Sequence, residues 1–206
     1  MMKVLLINGS PHKEGNTARA LKEMEMTFAQ EGIETEILQV GHLDIRGCAA
    51  CNACGKLGKC VQNDIVNEAA EKLKDCDGLV LGSPVYYASP NATLLAFLDR
   101  LFYSVSFDLS MKVGASVVAA RRGGLSASFD VLNKYFTISG MPLASSQYWN
   151  SIHGGRPGEA EQDLEGLQTM RTLAKNMAFL MKSIALGKEQ FGLPEREKRV
   201  ATNFIR

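Results

Sequence analysis

An apolar run, a polar loop and a helical pattern open the chain and constrain its fold more than any other feature. The run Val4-Leu5-Leu6-Ile7 lacks polar alternation, which is typical of a central parallel strand covered on both faces. Residues 8–17 follow, reading Asn-Gly-Ser-Pro-His-Lys-Glu-Gly-Asn-Thr, and a helical pattern begins near Thr17. The free N–H groups and dipole of a helix N-terminus favour an anion there. We therefore predict an anion cradle after the first strand, with an ordinary Asn-capped strand–helix turn as the alternative.

The loop matches neither common nucleotide motif. A P-loop needs Gly-x4-Gly-Lys-Ser/Thr, whereas five residues separate Gly9 from Gly15 here and Asn16-Thr17 replaces the Lys-Ser/Thr pair. The dinucleotide pattern Gly-x-Gly-x-x-Gly is also missing from the loop. Because the loop has no obligatory Lys, we expect a terminal monophosphate. Side chains that can hydrogen-bond to it are those of Ser10, Asn16 and Thr17.

Strand and helix patterns alternate along the rest of the chain. Strands are predicted over residues 3–8, 35–40, 77–83, 112–120 and 143–149. Helices are predicted over residues 17–30, 64–74, 91–103, 126–136 and 159–186. This alternation predicts an α/β fold, a doubly wound five-stranded parallel sheet with helices on both faces. We expect residues 1–188 to form one domain with a cysteine-rich insertion at 41–63, followed by a tail at 189–206.

Three loops follow strands at the carboxyl edge of this predicted sheet, where doubly wound folds bind ligands. They comprise residues 9–17, 84–90 and 121–124. The second offers aromatic faces for a flat ring in Pro84-Val85-Tyr86-Tyr87. The third offers cations and close backbone approach in Arg121-Arg122-Gly123-Gly124. Packing at a helix start and a solvated turn are the alternatives, but the convergence of three loops predicts a ligand with both a phosphate and a ring.

Four of the five cysteines lie in the long connection 41–63, where roughly two to six residues are usual. They are Cys48, Cys51, Cys54 and Cys60, in the pattern Cys-x2-Cys-x2-Cys-x5-Cys. Three cysteines at x2 spacing are typical of iron–sulfur ligands, whereas structural zinc commonly uses two separated pairs. The spacing favours a [4Fe–4S] cluster, and zinc, disulfides made on oxidation and an empty site stay open. The fifth, Cys76, is expected to pack as a small apolar residue.

The motifs resemble those of the flavodoxin-like NAD(P)H-dependent FMN reductases. The matching stretches are Gly-Ser-Pro-x-x-x-Gly-Asn-Thr after the first strand and Gly-Ser-Pro-Val-Tyr-Tyr at 82–87. The resemblance covers residues 3–149 and implies FMN as the cofactor. It assigns the FMN phosphate to Ser10, His12, Asn16 and Thr17, with His12 at a position where the family often has Arg. It borders the flavin ring with Pro84, Val85, Tyr86 and Tyr87 on one side, and Arg121, Gly123 and Gly124 on the other.

The cysteine pattern further resembles the iron–sulfur flavoproteins, a branch of the same fold. Trp149-Asn150, His153-Gly154 and the tail 199–206 are similar to that branch as well. The resemblance implies an FMN-dependent electron-transfer oxidoreductase. NAD(P)H would be its donor, a small molecule or protein its redox partner, and a homodimer or homotetramer its assembly. A plain FMN, quinone or azo reductase without a cluster stays open. A flavodoxin-like carrier does too, although flavodoxins are typically acidic and lack such a quartet.

Charge and hydropathy narrow the remaining function classes. With 23 basic and 22 acidic residues the net charge is +1, so we expect neither nucleic acid nor an anionic membrane as partner. No window approaches the roughly 18 apolar residues of a membrane-spanning helix. The first residues lead directly into a strand, which predicts a cytoplasmic protein without a signal peptide.

Overall fold

Five parallel strands form the central sheet of the protein, for which the computed structural model describes residues 1–195, 197, 198, 200, 202 and 204. They are β1 (Lys3–Asn8), β2 (Glu34–Gln39), β3 (Gly78–Tyr86), β5 (Val113–Ala120) and β6 (Ser151–His153). A two-residue strand, β4 (Ser89–Pro90), pairs antiparallel with the end of β3. The order β2-β1-β3-β5-β6 confirms the predicted doubly wound sheet and sets its switch point between β1 and β3.

Helices cover both faces of the sheet. They are α1 (Asn16–Gln30), α2 (Cys54–Leu57), α3 (Ile65–Lys74), α4 (Ala92–Ser104), α5 (Leu125–Ile138), a 3₁₀ turn (Glu159–Gln162) and α6 (Leu164–Phe191). Alternate residues of β1 belong to different cores. Val4 and Leu6 pack with α1 and α6, whereas Leu5 and Ile7 pack with α3, α4 and α5. Burial on both faces explains why β1 reads as an unbroken apolar run.

The predicted fifth strand at residues 143–149 was wrong. Only Leu143 forms an isolated parallel bridge, with Gly114, and the edge strand lies further on at β6. Within β6 a single residue, Ile152, is buried in the core. Three residues with one buried side chain carry almost no periodic signal, so no sequence pattern marks this strand. The remaining predicted strands and helices lie within two residues of the observed ones, apart from the three segments described next.

Three segments differ from prediction for local reasons. β3 continues to Tyr86 and turns back through β4, so residues 84–90 form a hairpin instead of a loop. The last helix begins at Leu164 because the Asp163 carboxylate accepts from Gly166 N at 2.9 Å, and the 3₁₀ turn stands apart from it. That helix then runs beyond its predicted end at residue 186, to Phe191.

The cysteine-rich insertion contains one short helix, α2, and otherwise no regular element. Asp64 caps α3, since its side chain accepts from Val66 N at 3.1 Å. In the tail, several residues of the 199–206 motif lie outside the described residues, namely Arg199, Ala201, Asn203, Ile205 and Arg206. Among the helices described here, none has both the length and the apolar character needed to cross a bilayer.

Candidate functional site

A cleft of about 300 Å³ opens at the carboxyl edge of the sheet, beside the switch point. It brings together most of the residues predicted to bind the cofactor. Those lining it are Ser10, His12, Asn16, Thr17, Pro84, Val85, Tyr86 and Arg121. Tyr87, Gly123 and Gly124 do not line it. The three predicted loops therefore converge on one space, as their positions after β1, β3 and β5 require.

Buried polar side chains hold the first loop from within. The Asn8 Oδ1 accepts from Ser10 N at 3.0 Å, and the Ser10 hydroxyl accepts from His12 N at 3.1 Å. Asn91, the cap of α4, donates from Nδ2 to Gly9 O at 2.7 Å. Since these contacts join β1, the loop and α4, the cradle is formed before any ligand arrives.

The N-terminus of α1 is free to meet an anion. Gly15 precedes the helix, no side chain caps it, and its first turn carries no acid. Ser10 and Thr17 lie buried beside it, whereas His12 is exposed. Free N–H groups, two hydroxyls and a nearby imidazole suit a phosphate monoester, and they require no lysine.

A fourth segment, after β6, completes the cleft and was missed in the assignment from sequence. Its lining residues are Gly154, Gly155, Arg156 and Pro157. Asn16 joins this segment to α1, because its Oδ1 accepts from Ala160 N at 3.2 Å. A Cβ on Gly154 would lie 2.6 Å from Asn16 Nδ2, so a larger residue here would displace the Asn16 side chain. The one available signal was His153-Gly154, and the misplaced fifth strand hid its position.

The second loop is a strained hairpin supported by the third loop. Its central residues Tyr87 and Ala88 have φ of 50° and 57°, in the left-handed region that non-glycine residues rarely adopt. Gly124 has φ of 89°, and a Cβ there would lie 2.8 Å from Ala88 Cα. The absence of a side chain at Gly124 therefore lets the third loop pack closely against the hairpin. Tyr87 is fully exposed, so its predicted place at the ring is without support from the geometry.

A second, larger cleft of about 600 Å³ lies between α1 and β2. It shares only Gly15 with the first cleft and contains none of the residues predicted for the ring. Its charged side chains are mostly occupied, since Arg19 pairs with Glu161 and Lys22 with Glu25. The smaller cleft is therefore the better candidate for the cofactor.

All four clustered cysteines line one small cavity between the insertion and the C-terminal half of α4. Ala50 and Asn52 have φ of 50° and 57°, and these left-handed residues turn the chain between successive cysteines. No three or more His, Cys, Asp or Glu residues in the described chain are arranged to hold a single metal ion. A [4Fe–4S] cluster requires a different arrangement of cysteines, because each of the four thiolates binds a separate iron.

Cys60 is fixed in this cavity from two helices. Asn67 of α3 accepts from Cys60 N and donates to Cys60 O, both at 3.0 Å. Arg100 of α4 donates from Nε and Nη2 to the Cys60 Sγ, each at 3.3 Å. The same guanidinium forms a fork with Asp64, at 2.7 and 2.9 Å. Arg100 therefore links the cysteine cavity, through Cys60, to the N-terminus of α3, through Asp64.

Arg100 is 1% exposed, an unusual position for a cation. Its burial lowers the pKa of the guanidinium, but the hydrogen bonds that it donates to Asp64 and Cys60 together raise that pKa by more, so the pKa rises overall. The buried guanidinium contacts one of the four clustered thiols, that of Cys60, and so places positive charge beside the cavity. The donor set and its charge environment therefore fit an iron–sulfur cluster.

Replacing Arg100 by Met should lower the free energy of unfolding by about 2–3 kcal/mol. The fork with Asp64 and the bonds to Cys60 are lost, while similar volume is kept. The loss stays at the lower end for a buried pair because the Asp64 side chain is 34% exposed and water can reach it. Urea denaturation of both proteins at neutral pH measures the difference. An unchanged midpoint would show that the pair contributes no net stability.

The sheet order and the uncapped helix at the switch point define a flavodoxin-like protein with a cleft suited to an anion. Residues 2–155 match the model of the NADPH-dependent FMN reductase family, and the chain belongs to that family. The predicted family and fold class are thereby confirmed. The protein is an FMN-dependent oxidoreductase of the NAD(P)H-dependent FMN reductase type.

Two curated relatives that match most of this chain are named iron–sulfur flavoproteins. An iron–sulfur flavoprotein of Methanocaldococcus jannaschii is 37% identical over 191 residues, covering 89% of this chain and 99% of its own. One of Methanosarcina thermophila is 31% identical over 194 residues, with coverage of 92% and 100%. Among solved structures, a flavodoxin from the domain Archaea aligns with a TM-score of 0.59 at 14% identity, covering 88% of this chain and 99% of its own. That structural likeness shows the fold alone.

Proposed function

We propose that the protein binds FMN in the cleft at the switch point and a [4Fe–4S] cluster on Cys48, Cys51, Cys54 and Cys60. One observation carries the proposal: four thiols and a buried cation surround one cavity in a chain that belongs to a flavin reductase family. The iron–sulfur label of the relatives agrees with it.

Different residues of the cleft would bind different parts of FMN. The N-terminus of α1 with Ser10 and Thr17 would hold the phosphate, helped by His12 and Asn16. Arg121 and the missed Arg156 add positive charge to the same cleft. The hairpin would border the ring through Pro84, Val85 and Tyr86, which is 44% exposed and available for stacking. Gly123 and Gly124 would shape this border from behind.

When bound, the flavin accepts a two-electron hydride and releases single electrons, and an iron–sulfur cluster carries one electron at a time. The chain's own part is to position these groups on one rigid element. Asn91, the cap of α4, holds the first loop through its bond to Gly9 O. Arg100 reaches the cysteine cavity about 14 Å further along the axis of the same helix. We further propose NAD(P)H as donor, a small molecule or protein as redox partner, and a homodimer or homotetramer as the assembly.

The test is anaerobic reduction of the purified protein with NADPH and, separately, NADH. Either nucleotide should bleach the flavin absorbance, and a one-electron acceptor added afterwards should restore it. Failure of both nucleotides to bleach bound FMN would contradict the proposed donor. A reductase without a cluster is the second candidate, since Cys48 and Cys51 are exposed. It predicts the same bleaching with no iron in the protein.

A further inference from the structure

One buried hydroxyl in the described part of the chain has no hydrogen-bond partner. It belongs to Ser104, the last residue of α4, which is only 5% exposed. A helical serine commonly bonds the carbonyl four residues earlier, and Ser104 does not. Because leaving a buried hydroxyl without a partner costs free energy, such a group needs an explanation.

The position of Ser104 indicates where a partner for its hydroxyl would lie. Ser104 lines the cysteine cavity and lies four residues after Arg100, so both occupy one face of α4. The wall opposite them consists largely of the insertion, with the four cysteines. Arg100 already donates to the Cys60 Sγ from this face. The Ser104 hydroxyl, a second donor on the same face, reaches no oxygen, nitrogen or sulfur acceptor among the described residues, so it is placed to donate to a group bound in the cavity.

We propose that the Ser104 hydroxyl donates a hydrogen bond to a sulfur of the cluster, either a cysteine Sγ or a bridging sulfide, and raises its reduction potential. The inference rests on the proposed function, because it needs the cluster. Reduction adds one electron and one negative charge, which a hydrogen-bond donor stabilises more than it stabilises the oxidised form. Ser104 is thus a positioning and tuning residue that leaves iron ligation to the cysteines.

The experiment compares Ser104→Ala with two controls in anaerobically reconstituted protein. Ser104→Thr keeps the hydroxyl. Ser106→Ala removes an exposed hydroxyl two residues away that does not line the cavity. A redox titration followed by electron paramagnetic resonance gives the cluster potential. At the wild-type midpoint, Ser104→Ala should show an about fivefold lower ratio of reduced to oxidised cluster, the value of one hydrogen bond. Both controls should keep the wild-type potential.

A second readout distinguishes a cluster donor from a mere space filler. Pulsed resonance in H₂O and D₂O should detect an exchangeable proton coupled to the reduced cluster, and Ser104→Ala should lose it. If Ser104→Ala fails to bind a cluster while Ser104→Thr binds one at the wild-type potential, the hydroxyl is needed and the proposal holds. Loss of the cluster in both, or an unchanged potential in Ser104→Ala, overturns it. Iron-free wild-type protein overturns the cluster itself, and iron analysis separates that failure from the others.

Discussion

Replacing Asn16 by Asp should weaken FMN binding about 10- to 100-fold while leaving the fold intact. The substitution keeps the shape of the side chain and the oxygen that accepts from Ala160 N. It removes an amide donor and puts a negative charge at the N-terminus of α1, against the proposed phosphate. The same charge favours the helix dipole, so stability should not fall. Fluorescence titration of the flavin-free variant with FMN measures the affinity.

Riboflavin is the matched control for this variant, because it has the ring and lacks the phosphate. Asn16→Asp should bind riboflavin as the wild type does. If the affinity for FMN were unchanged, the phosphate would lie elsewhere. An equal loss for FMN and riboflavin would mean that the variant disturbs the ring site or the β6 segment that Asn16 contacts.

Replacing Cys60 by Ala should lower the anaerobic iron content from about four atoms per chain to under one. Cys60 is the thiol that the structure fixes most firmly, through Asn67 and Arg100. Without it, one iron loses its protein ligand and a buried cation faces an incomplete site. FMN should remain bound, since the cysteine cavity and the cleft share no lining residue. Iron and flavin content of the same sample are measured together.

Cys76→Ala controls for the loss of a cysteine as such. Cys76 is buried in the connection between α3 and β3, away from the cavity, where burial raises the pKa of its thiol. It behaves in the structure as the small apolar residue that its position predicts. Iron content should stay at the wild-type level in this variant. Equal iron loss in both variants would show that general destabilisation, and not ligation, explains the effect of Cys60→Ala.

Local sequence signals predicted the three loops after β1, β3 and β5 because each of these strands is largely buried on both faces. β1 reads clearly since Leu5 and Ile7 face one core and Val4 and Leu6 the other. Loops after such strands must meet at one edge, which places Ser10 near Tyr86 and Arg121 without further information. Topology therefore predicted most of the cleft.

Contacts distant in sequence could not be predicted in this way. β6 contributes one buried residue, Ile152, so no pattern marks it, and Arg156 was lost with it. Arg100 looked like an ordinary helix residue until the fold brought Asp64 and Cys60 beside it. Ser104 carried no signal at all, because its significance lies in the cavity that it lines and the partner that it lacks.

Whether the four clustered cysteines hold a cluster is decided by the iron, acid-labile sulfide and FMN content of the anaerobically purified protein. About four iron and four sulfide per chain are expected, with FMN present. A broad visible absorbance beside the flavin bands is also expected, and dithionite should bleach it. Protein with its full complement of FMN but under one iron per chain, even after anaerobic reconstitution with iron and sulfide, would contradict the claim that Cys48, Cys51, Cys54 and Cys60 hold a cluster.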